Sequence, residues 1–359
     1  MPSFQDACRD RIAAVERFLL RELPPPSRRP RHLFQAARDY FERPGKRLRP
    51  CLVLLSASAC GGDEDALLPA AAAVEVFHTW TLIHDDLIDR DDLRRGKPTV
   101  HALGTRWASA EFGQDGRSAR SYGRDLAVLA GDLLQGWAPT LILRCAQDGK
   151  VPFTVACAQA RRLARDVTAD VLSGELLDVQ LSRRPVEGIR RAEILRMMDL
   201  KTASLMSFCA SLGASLALGV DDPTEPKVAA LGAFARKCGL AFQVRDDILG
   251  IVADERALGK PVGSDLREKK RTILLALALS KARGADARRL KAYLAKPNPG
   301  KREVERVVKI FRDCGAVDAG ARSMRRYLAA ALRDLENVPP GEPRETLADL
   351  ARFMAQRTF

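Results

Sequence analysis

Apolar residues recur at helical spacing along almost the whole 359-residue chain, and alternation at strand spacing is scarce. That pattern predicts an all-α protein. Helices are expected over 9–20, 32–43, 49–60, 65–89, 126–144, 154–181, 191–218, 227–253 and 272–282, followed by a charged, helically patterned tail at 303–359. Breaks fall where proline or glycine stops a helix: LPPPSRRP at 23–30, Pro44-Gly45, Gly61-Gly62-Asp63 and Val338-Pro339-Pro340-Gly341. The polar stretch GQDGRSARSYG at 113–123 reads as a loop. No fixed-period repeat and no long low-complexity linker divides the chain. One domain over 1–359 is therefore expected: an N-terminal helix and Pro-rich connection over 1–30, then a bundle of helix hairpins over 31–359.

Hydrophobic residues make up 46 % of the chain, enough for a substantial core. The formal net charge is +13, which suits an anionic partner: nucleic acid, anionic lipid or a phosphorylated small molecule. Nucleic acid is disfavoured, because aromatics are only 6 % and no Lys/Arg block carries interleaved aromatic residues. The eight cysteines form no CxxC pair and read as free buried thiols in a reducing compartment. The N-terminal stretch is charged from Asp6 onward and has no signal-peptide pattern. The uncharged run 205–220 is too short to span a bilayer. A soluble cytoplasmic protein without a transmembrane segment is expected.

Residues 78–101 read HTWTLIHDDLIDRDDLRRGKPTVH, with five aspartates between 85 and 92. Like charges at i,i+4 on a helix repel by a few tenths of a kcal/mol, so a cation or a solvated turn must hold them. On a helix, Asp85 and Asp89 share a face, Asp86 sits beside them, and His78 and Thr81 lie below Asp85 on roughly the same stripe. Hard cations such as Mg²⁺ prefer such carboxylates and keep waters that phosphate oxygens can replace. A lone acidic helix end is commonly just solvated. A second one, FQVRDDILG at 242–250, changes that reading, because Gln243, Asp246 and Asp247 again point one way. Basic residues bracket both motifs: Lys46, Arg47 and Arg49, then Arg94 and Arg95, then Lys201, Lys260 and Lys270. Carboxylates gather metal, and metal with Lys and Arg gathers diphosphate.

From about Tyr40 to Leu279 the ordered set GKRLRP (45–50), LIHDDLIDRDDLRRGKPTVH (82–101), LAGDLL (129–134), KTASL (201–205), GLAFQVRDDILG (239–250), LGKPVGSDL (258–266) and EKKRT (268–272) resembles the trans-isoprenyl diphosphate synthases, also called polyprenyl synthetases. The resemblance implies a single-domain, all-α orthogonal helix bundle of the isoprenoid synthase type with a central active-site cavity, assembled as a homodimer. It implies about three Mg²⁺ per site, held by Asp85, Asp89 and Asp246, with Asp86, Asp247, Lys201 and Lys260 among the catalytic residues. Isopentenyl diphosphate would sit on Lys46, Arg49, His78 and Arg95. An allylic diphosphate would sit on Arg94, Lys201, Thr202, Gln243, Lys260 and Lys270. His32, His84 and His101 are left as structural or exposed.

The implied reaction is head-to-tail prenyl transfer. The allylic C–O bond breaks as Mg²⁺ and Lys/Arg take up the charge on diphosphate. The double bond of isopentenyl diphosphate attacks the allyl cation, and released diphosphate takes the proton. Phe77, Trp80 and Thr81 would floor the pocket. Trp80 is large, Thr81 is small and DDLID carries no insertion, which favours geranylgeranyl diphosphate over farnesyl diphosphate. Two rival readings are a class I terpene cyclase, against which GKRLRP, His78 and Arg95 speak, and a silent subunit of a heteromeric synthase, which the retained motifs disfavour. The chain departs from the pattern at Gly250, where many members have a third aspartate, and at Glu175, where many have glutamine. The tail bases Arg322, Arg325 and Arg326 read as a solvated face.

Overall fold

The computed structural model describes residues 4–147, 149–252, 266, 270–296 and 299–356. The elements in chain order are α1 (Arg9–Glu22), α2 (Arg31–Asp39), α3 (Leu48–Ala59), α4 (Leu68–Asp89), a hairpin of β1 (Leu93–Arg94) and β2 (Lys97–Pro98), α5 (Val100–Phe112), α6 (Gly116–Arg144), α7 (Phe153–Arg162), α8 (Thr168–Arg183), α9 (Arg191–Met198), α10 (Ser204–Leu218), α11 (Pro226–Val252), α12 (Ile273–Lys281), α13 (Gly284–Ala295), α14 (Lys301–Asp313), α15 (Ala316–Asp334) and α16 (Glu342–Gln356). The all-α expectation is met, and the two-residue strands are the only sheet among the described residues. Residue contacts divide the chain into two compact units. One comprises Met1–Asp166, Cys209–Ala229 and Pro339–Thr346; the other comprises Val167–Phe208, Ala230–Val338 and Leu347–Phe359.

In the first unit α4 packs along α6 and against α3, and α6 also holds α2, α5 and α7. The start of α4 is buried on every side: Ala70, Ala71, Ala72, Ala73 and Val74 have no exposed surface. Small side chains there admit neighbouring backbones, and Phe77 and Ile83 extend the buried length toward the acidic end. By length and composition α6 could cross a membrane. Here its buried Leu126, Ala127, Ala130 and Leu134 make it a core helix of this unit.

In the second unit α12 packs on α9, α14 and α15, and α14 also holds α13 and α15. Val244 and Ile248 of α11, Ile273 and Leu274 of α12, Leu290 of α13, and Val307 and Phe311 of α14 share one apolar cluster. The α14 pattern is strongly one-sided, so its Lys/Arg/Glu face stays in water while the valines and Phe311 go inward.

Three boundaries differ from the expected ones. The polar stretch 113–123 is mostly helix. Gly113 ends α5 in the left-handed region (φ 62°), and Asp115 is extended ahead of α6. The residues after it then wind into the first turns of α6, with Ala119 and Gly123 buried. Arg, Ser and Ala are compatible with a helix; their polarity only marks an exposed face. The expected helix over 154–181 is interrupted by a π-turn at Leu163–Val167, and that over 191–218 by another at Asp199–Ala203. These turns contain no proline or glycine to mark them, so the sequence gives no break signal there. The tail also breaks at Gly315 (φ 71°), between α14 and α15.

Two local devices set side chains near the motifs. Arg95 and Gly96 both take positive φ (53° and 74°), which is the I′ turn that a two-residue hairpin requires. It pairs Arg94 with Lys97 and folds Arg94 back toward the end of α4. In the second unit, a Cβ built on Gly174 of α8 would meet the backbone nitrogen of Lys201 at 2.2 Å. Only glycine lets α8 lie so close to the π-turn that carries Lys201 and Thr202.

Substituting Gly174→Ala is expected to destabilise the protein by about 1–3 kcal/mol, because backbone must move. Gly136→Ala on an open face of α6 is the control, since a Cβ there meets nothing within 4 Å. It should be neutral or stabilising by up to about 1 kcal/mol. Urea unfolding of both variants reads the contrast; equal midpoints would refute the close-approach account.

Candidate active site

The first acidic motif occupies the last turns of α4, which ends at Asp89 with Arg90 in the left-handed conformation (φ 61°). Aligned peptide dipoles make a helix C-terminus partly negative, so carboxylates there are placed against the helix's own field. Arg94 offsets part of this. Its Nε donates to both oxygens of Asp86, at 2.7 and 2.9 Å, and its Nη2 to Asp85 at 3.2 Å. The Tyr40 hydroxyl also donates to Asp86. Asp86 is buried, and burial pushes its carboxyl above the usual range against the opposing pull of Arg94. Burial beside Asp86 likewise raises the Tyr40 phenol. Asp85 and Asp89, one turn apart, are half-buried.

The basic motif GKRLRP leads into the N-terminus of α3, where Arg47 sits in the left-handed region (φ 42°). Arg47 is buried and fully engaged. It pairs with Glu75 at 2.7 Å and Glu16 at 3.0 Å and donates to the carbonyls of Phe41 and Arg43. Arg49 differs, because its Nε is buried with no hydrogen-bond partner. Desolvation lowers its pKa, yet guanidinium starts so high that it stays charged. A buried, unsatisfied guanidinium nitrogen is costly, so an anion that reached it would be strongly favoured.

His78 is half-buried on α4 and belongs to the same cluster. Burial comes first, and then the field of Arg49, Arg94, Arg95 and Arg47, in driving its pKa well below the usual value. The imidazole is therefore neutral and can exchange hydrogen bonds without adding charge. Of the four arginines, Arg47 and Arg94 are held by carboxylates. Arg95 is exposed at the hairpin tip and donates to the Pro44 carbonyl at 2.8 Å. Lys46, two residues after Pro44, is half-buried. Arg49 is the member of the group whose buried Nε has no hydrogen-bond partner among the described residues.

Below the motif, Phe77 and Trp80 are buried and meet edge to face at 4.9 Å. Trp80 Nε1 donates to His84 Nδ1 at 3.1 Å, and His84 Nε2 lies 3.3 Å from the Val128 carbonyl on α6. His84 thereby fixes the indole against α6. Thr81 is half-buried, and its hydroxyl donates to the His78 carbonyl at 2.7 Å. His32, by contrast, stacks on Trp107 and meets Tyr122 Oη at 2.6 Å.

The second unit carries the other residues. Lys201, on the π-turn, bridges Glu175 and Asp178 of α8, at 2.9 Å each. Thr202 donates to Gln243 Oε1 at 3.1 Å, which leaves the Gln243 amide nitrogen to donate elsewhere. On α11, Asp246 is half-buried and Asp247 is buried. Asp247 accepts from the Ile273 backbone nitrogen at 2.9 Å and so anchors the start of α12, whose N-cap is Thr272. Arg271 is buried and donates to the carbonyls of Leu181 and Arg184. Lys270 beside it is half-buried, and Lys260 lies outside the described residues.

The two Asp-Asp pairs follow one rule. In each, the first aspartate is half-buried, and the second is buried and hydrogen-bonded within the protein. Among the described residues, no group of three His, Cys, Asp or Glu side chains converges as a preformed metal cage. Two carboxylates one turn apart nonetheless have the chemistry of a Mg²⁺ site, since this ion takes one or two carboxylates and fills its shell with water and phosphate oxygens. Sequence reasoning did not single out Tyr40 or Asp178. Each had a signal: an aromatic just before the basic motif, and an acid three residues after Glu175.

The polyprenyl synthetase family model matches residues 30–311. A short chain isoprenyl diphosphate synthase of Methanothermobacter thermautotrophicus is 34 % identical over 91 % of this chain and 91 % of its own. A geranylfarnesyl diphosphate synthase of Aeropyrum pernix is 34 % identical over 91 % and 95 %. Among solved structures, geranylgeranyl pyrophosphate synthetase from Pyrococcus horikoshii superposes with a TM-score of 0.85 at 29 % identity, covering 99 % of this chain and 98 % of that one. The Corynebacterium glutamicum geranylgeranyl pyrophosphate synthase, solved with isoprenyl diphosphate and magnesium, gives 0.82 at 28 % identity over 99 % and 98 %. With the motif geometry in each unit and matches spanning nearly the whole chain, the protein belongs to the polyprenyl synthetase family and is a prenyltransferase.

Proposed function

We propose that the protein condenses isopentenyl diphosphate with an allylic diphosphate and that its product is geranylgeranyl diphosphate. The division of labour within the two Asp-Asp pairs carries this reading. In each, the second carboxylate is buried and anchored by the protein while the first is half-buried, with Asp85 also accepting from Arg94. Asp85, Asp89 and Asp246 would hold Mg²⁺, which when bound neutralises charge on the diphosphate oxygens. Asp86 and Asp247 are then positioning residues: Asp86 through Arg94 and Tyr40, Asp247 through the first turn of α12.

Arg49, Arg95 and Lys46 bind isopentenyl diphosphate, with neutral His78 as a hydrogen-bond partner. Arg49 contributes most, because its buried Nε has no competing acceptor. Lys201, Thr202, Gln243, Lys260 and Lys270 grip the allylic diphosphate, with Arg94 acting from its seat on Asp85 and Asp86. The allylic C–O bond breaks and its electron pair leaves with diphosphate. The isopentenyl double bond supplies the electrons of the new C–C bond, and the proton then lost passes to the departed diphosphate. Phe77, Trp80 and Thr81 limit the chain, the indole being braced by His84. The names of the relatives include geranylgeranyl and geranylfarnesyl synthases, which supports a product of C20 or near it.

The reading includes one catalytic domain over 1–359, assembled as a homodimer. Exposed Val128 and Leu129, adjacent on α6, support self-association. Light scattering on the purified protein tests it. Eight free thiols support a reducing, cytoplasmic location.

Asp85→Ala and Asp246→Ala should each reduce turnover on the order of 10²–10³-fold with the fold intact. Unchanged rates in both would end this assignment. Product analysis with dimethylallyl, geranyl and farnesyl diphosphates, each with and without isopentenyl diphosphate, should give condensation only when the second substrate is present; turnover without it would favour a cyclase. Trp80→Ala should shift the product toward longer chains, and an unaltered distribution removes Trp80 as the floor. Glu175→Gln removes one of the two carboxylate charges that Lys201 bridges and should lower KM for the allylic substrate severalfold while sparing KM for isopentenyl diphosphate. Equal changes in both constants would argue against that subsite.

A further inference from the structure

The second unit contains a cleft of about 710 Å³. Its cationic rim is Arg191 on α9, Lys281 on α12, and Arg322, Arg325 and Arg326 on α15. Among the described residues, no acidic side chain lines it. On α15 the lining positions Ala319, Arg322, Ser323 and Arg326 follow i, i+3, i+4 and i+7, so one helix face builds the wall. The cleft is not merely a charged surface. Buried Leu277 and small Ala319 form an apolar floor, and the buried Ser323 hydroxyl accepts from Arg326 Nη2 at 3.1 Å. The volume lies in the range typical of small-molecule sites.

The charge is uncompensated. None of the five cations makes a salt bridge with a carboxylate of the described residues. On the same elements, Glu193 is taken by Arg184 and Arg190 and Asp334 by Lys237, while Asp318 does not line the cleft. Five like charges around one concavity repel, and a concave wall focuses their field. Planar guanidinium groups fit phosphate oxygens in pairs, and hydroxyls at the wall can add to such contacts. None of these residues belongs to the aspartate motifs or to the basic residues assigned above.

We propose that this cleft is a second, non-catalytic site for a phosphate-bearing anion whose apolar portion rests on Leu277 and Ala319. The bases of α15 read from sequence as a solvated face are in this account a recognition surface. The phosphate could be that of a free small molecule or of a lipid headgroup. The two share this chemistry and are separated by experiment.

Full-length protein is titrated in EDTA, which suppresses Mg²⁺-dependent binding, with inorganic diphosphate in one arm. In the other arm it meets phosphatidylcholine vesicles with and without phosphatidylglycerol. Wild type is compared with Arg322→Gln/Arg325→Gln/Arg326→Gln and with the corresponding triple lysine variant. Wild type should show a saturable class of sites that the glutamine variant weakens by about tenfold or more and the lysine variant largely restores. Both variants should retain the condensation rate. Loss of the diphosphate class identifies a free anion as ligand, and loss confined to phosphatidylglycerol vesicles identifies a headgroup; either supports the site. Glutamine and wild-type proteins that bind both probes alike would overturn it.

Discussion

The clamp of Arg94 and Tyr40 on Asp86 is the interaction on which the acidic end of α4 depends. Three aspartates occupy the negative end of a helix dipole, and one of them is buried. Left alone, Asp86 would favour protonation or a change of rotamer. The guanidinium fork and the phenol hold it in place, and the I′ turn at Arg95-Gly96 brings the fork there. Without the hairpin, Arg94 would be one base in a charged loop, and Asp85 and Asp89 would lose the rigid neighbour that fixes their helix turn.

The second motif solves the same problem with different parts. Asp247 accepts a backbone N–H at the start of α12 where Asp86 accepts a guanidinium and a phenol. Each pair in this protein thus joins a buried, anchoring aspartate to a half-buried one, so the two acids in a row have different structural surroundings. This arrangement explains how Gly250 can stand where many members have a third aspartate: neither the anchor at Asp247 nor the half-buried Asp246 needs it.

The excess of positive charge sorts into three roles. Arg47 and Arg271 are buried staples: Arg47 donates to Glu75 and the Phe41 carbonyl, and Arg271 to the carbonyls of Leu181 and Arg184. Arg94 and Lys201 are paired cations at the motifs. Arg49 and the α15 arginines form no salt bridge with a carboxylate among the described residues. Arginines that look equivalent in composition therefore differ in function according to whether an acid on a neighbouring element has reached them first.

Periodicity and motif order by themselves determined the helical class, the two acidic helix ends and the family resemblance, because helix faces and motif spacings are local properties of the chain. The same local reading took 113–123 for a loop, since polarity reports exposure and says little about backbone conformation. It passed over both π-turns, which contain no proline or glycine to mark them. It ranked Asp86 and Asp247 with their neighbours, and it had no means of finding Tyr40 on Asp86, Asp178 on Lys201, or the cleft between α12 and α15. Those depend on residues tens of positions apart meeting across packed helices. Only tertiary structure decides which donor reaches which acceptor, and burial then sets apart the two members of each adjacent aspartate pair.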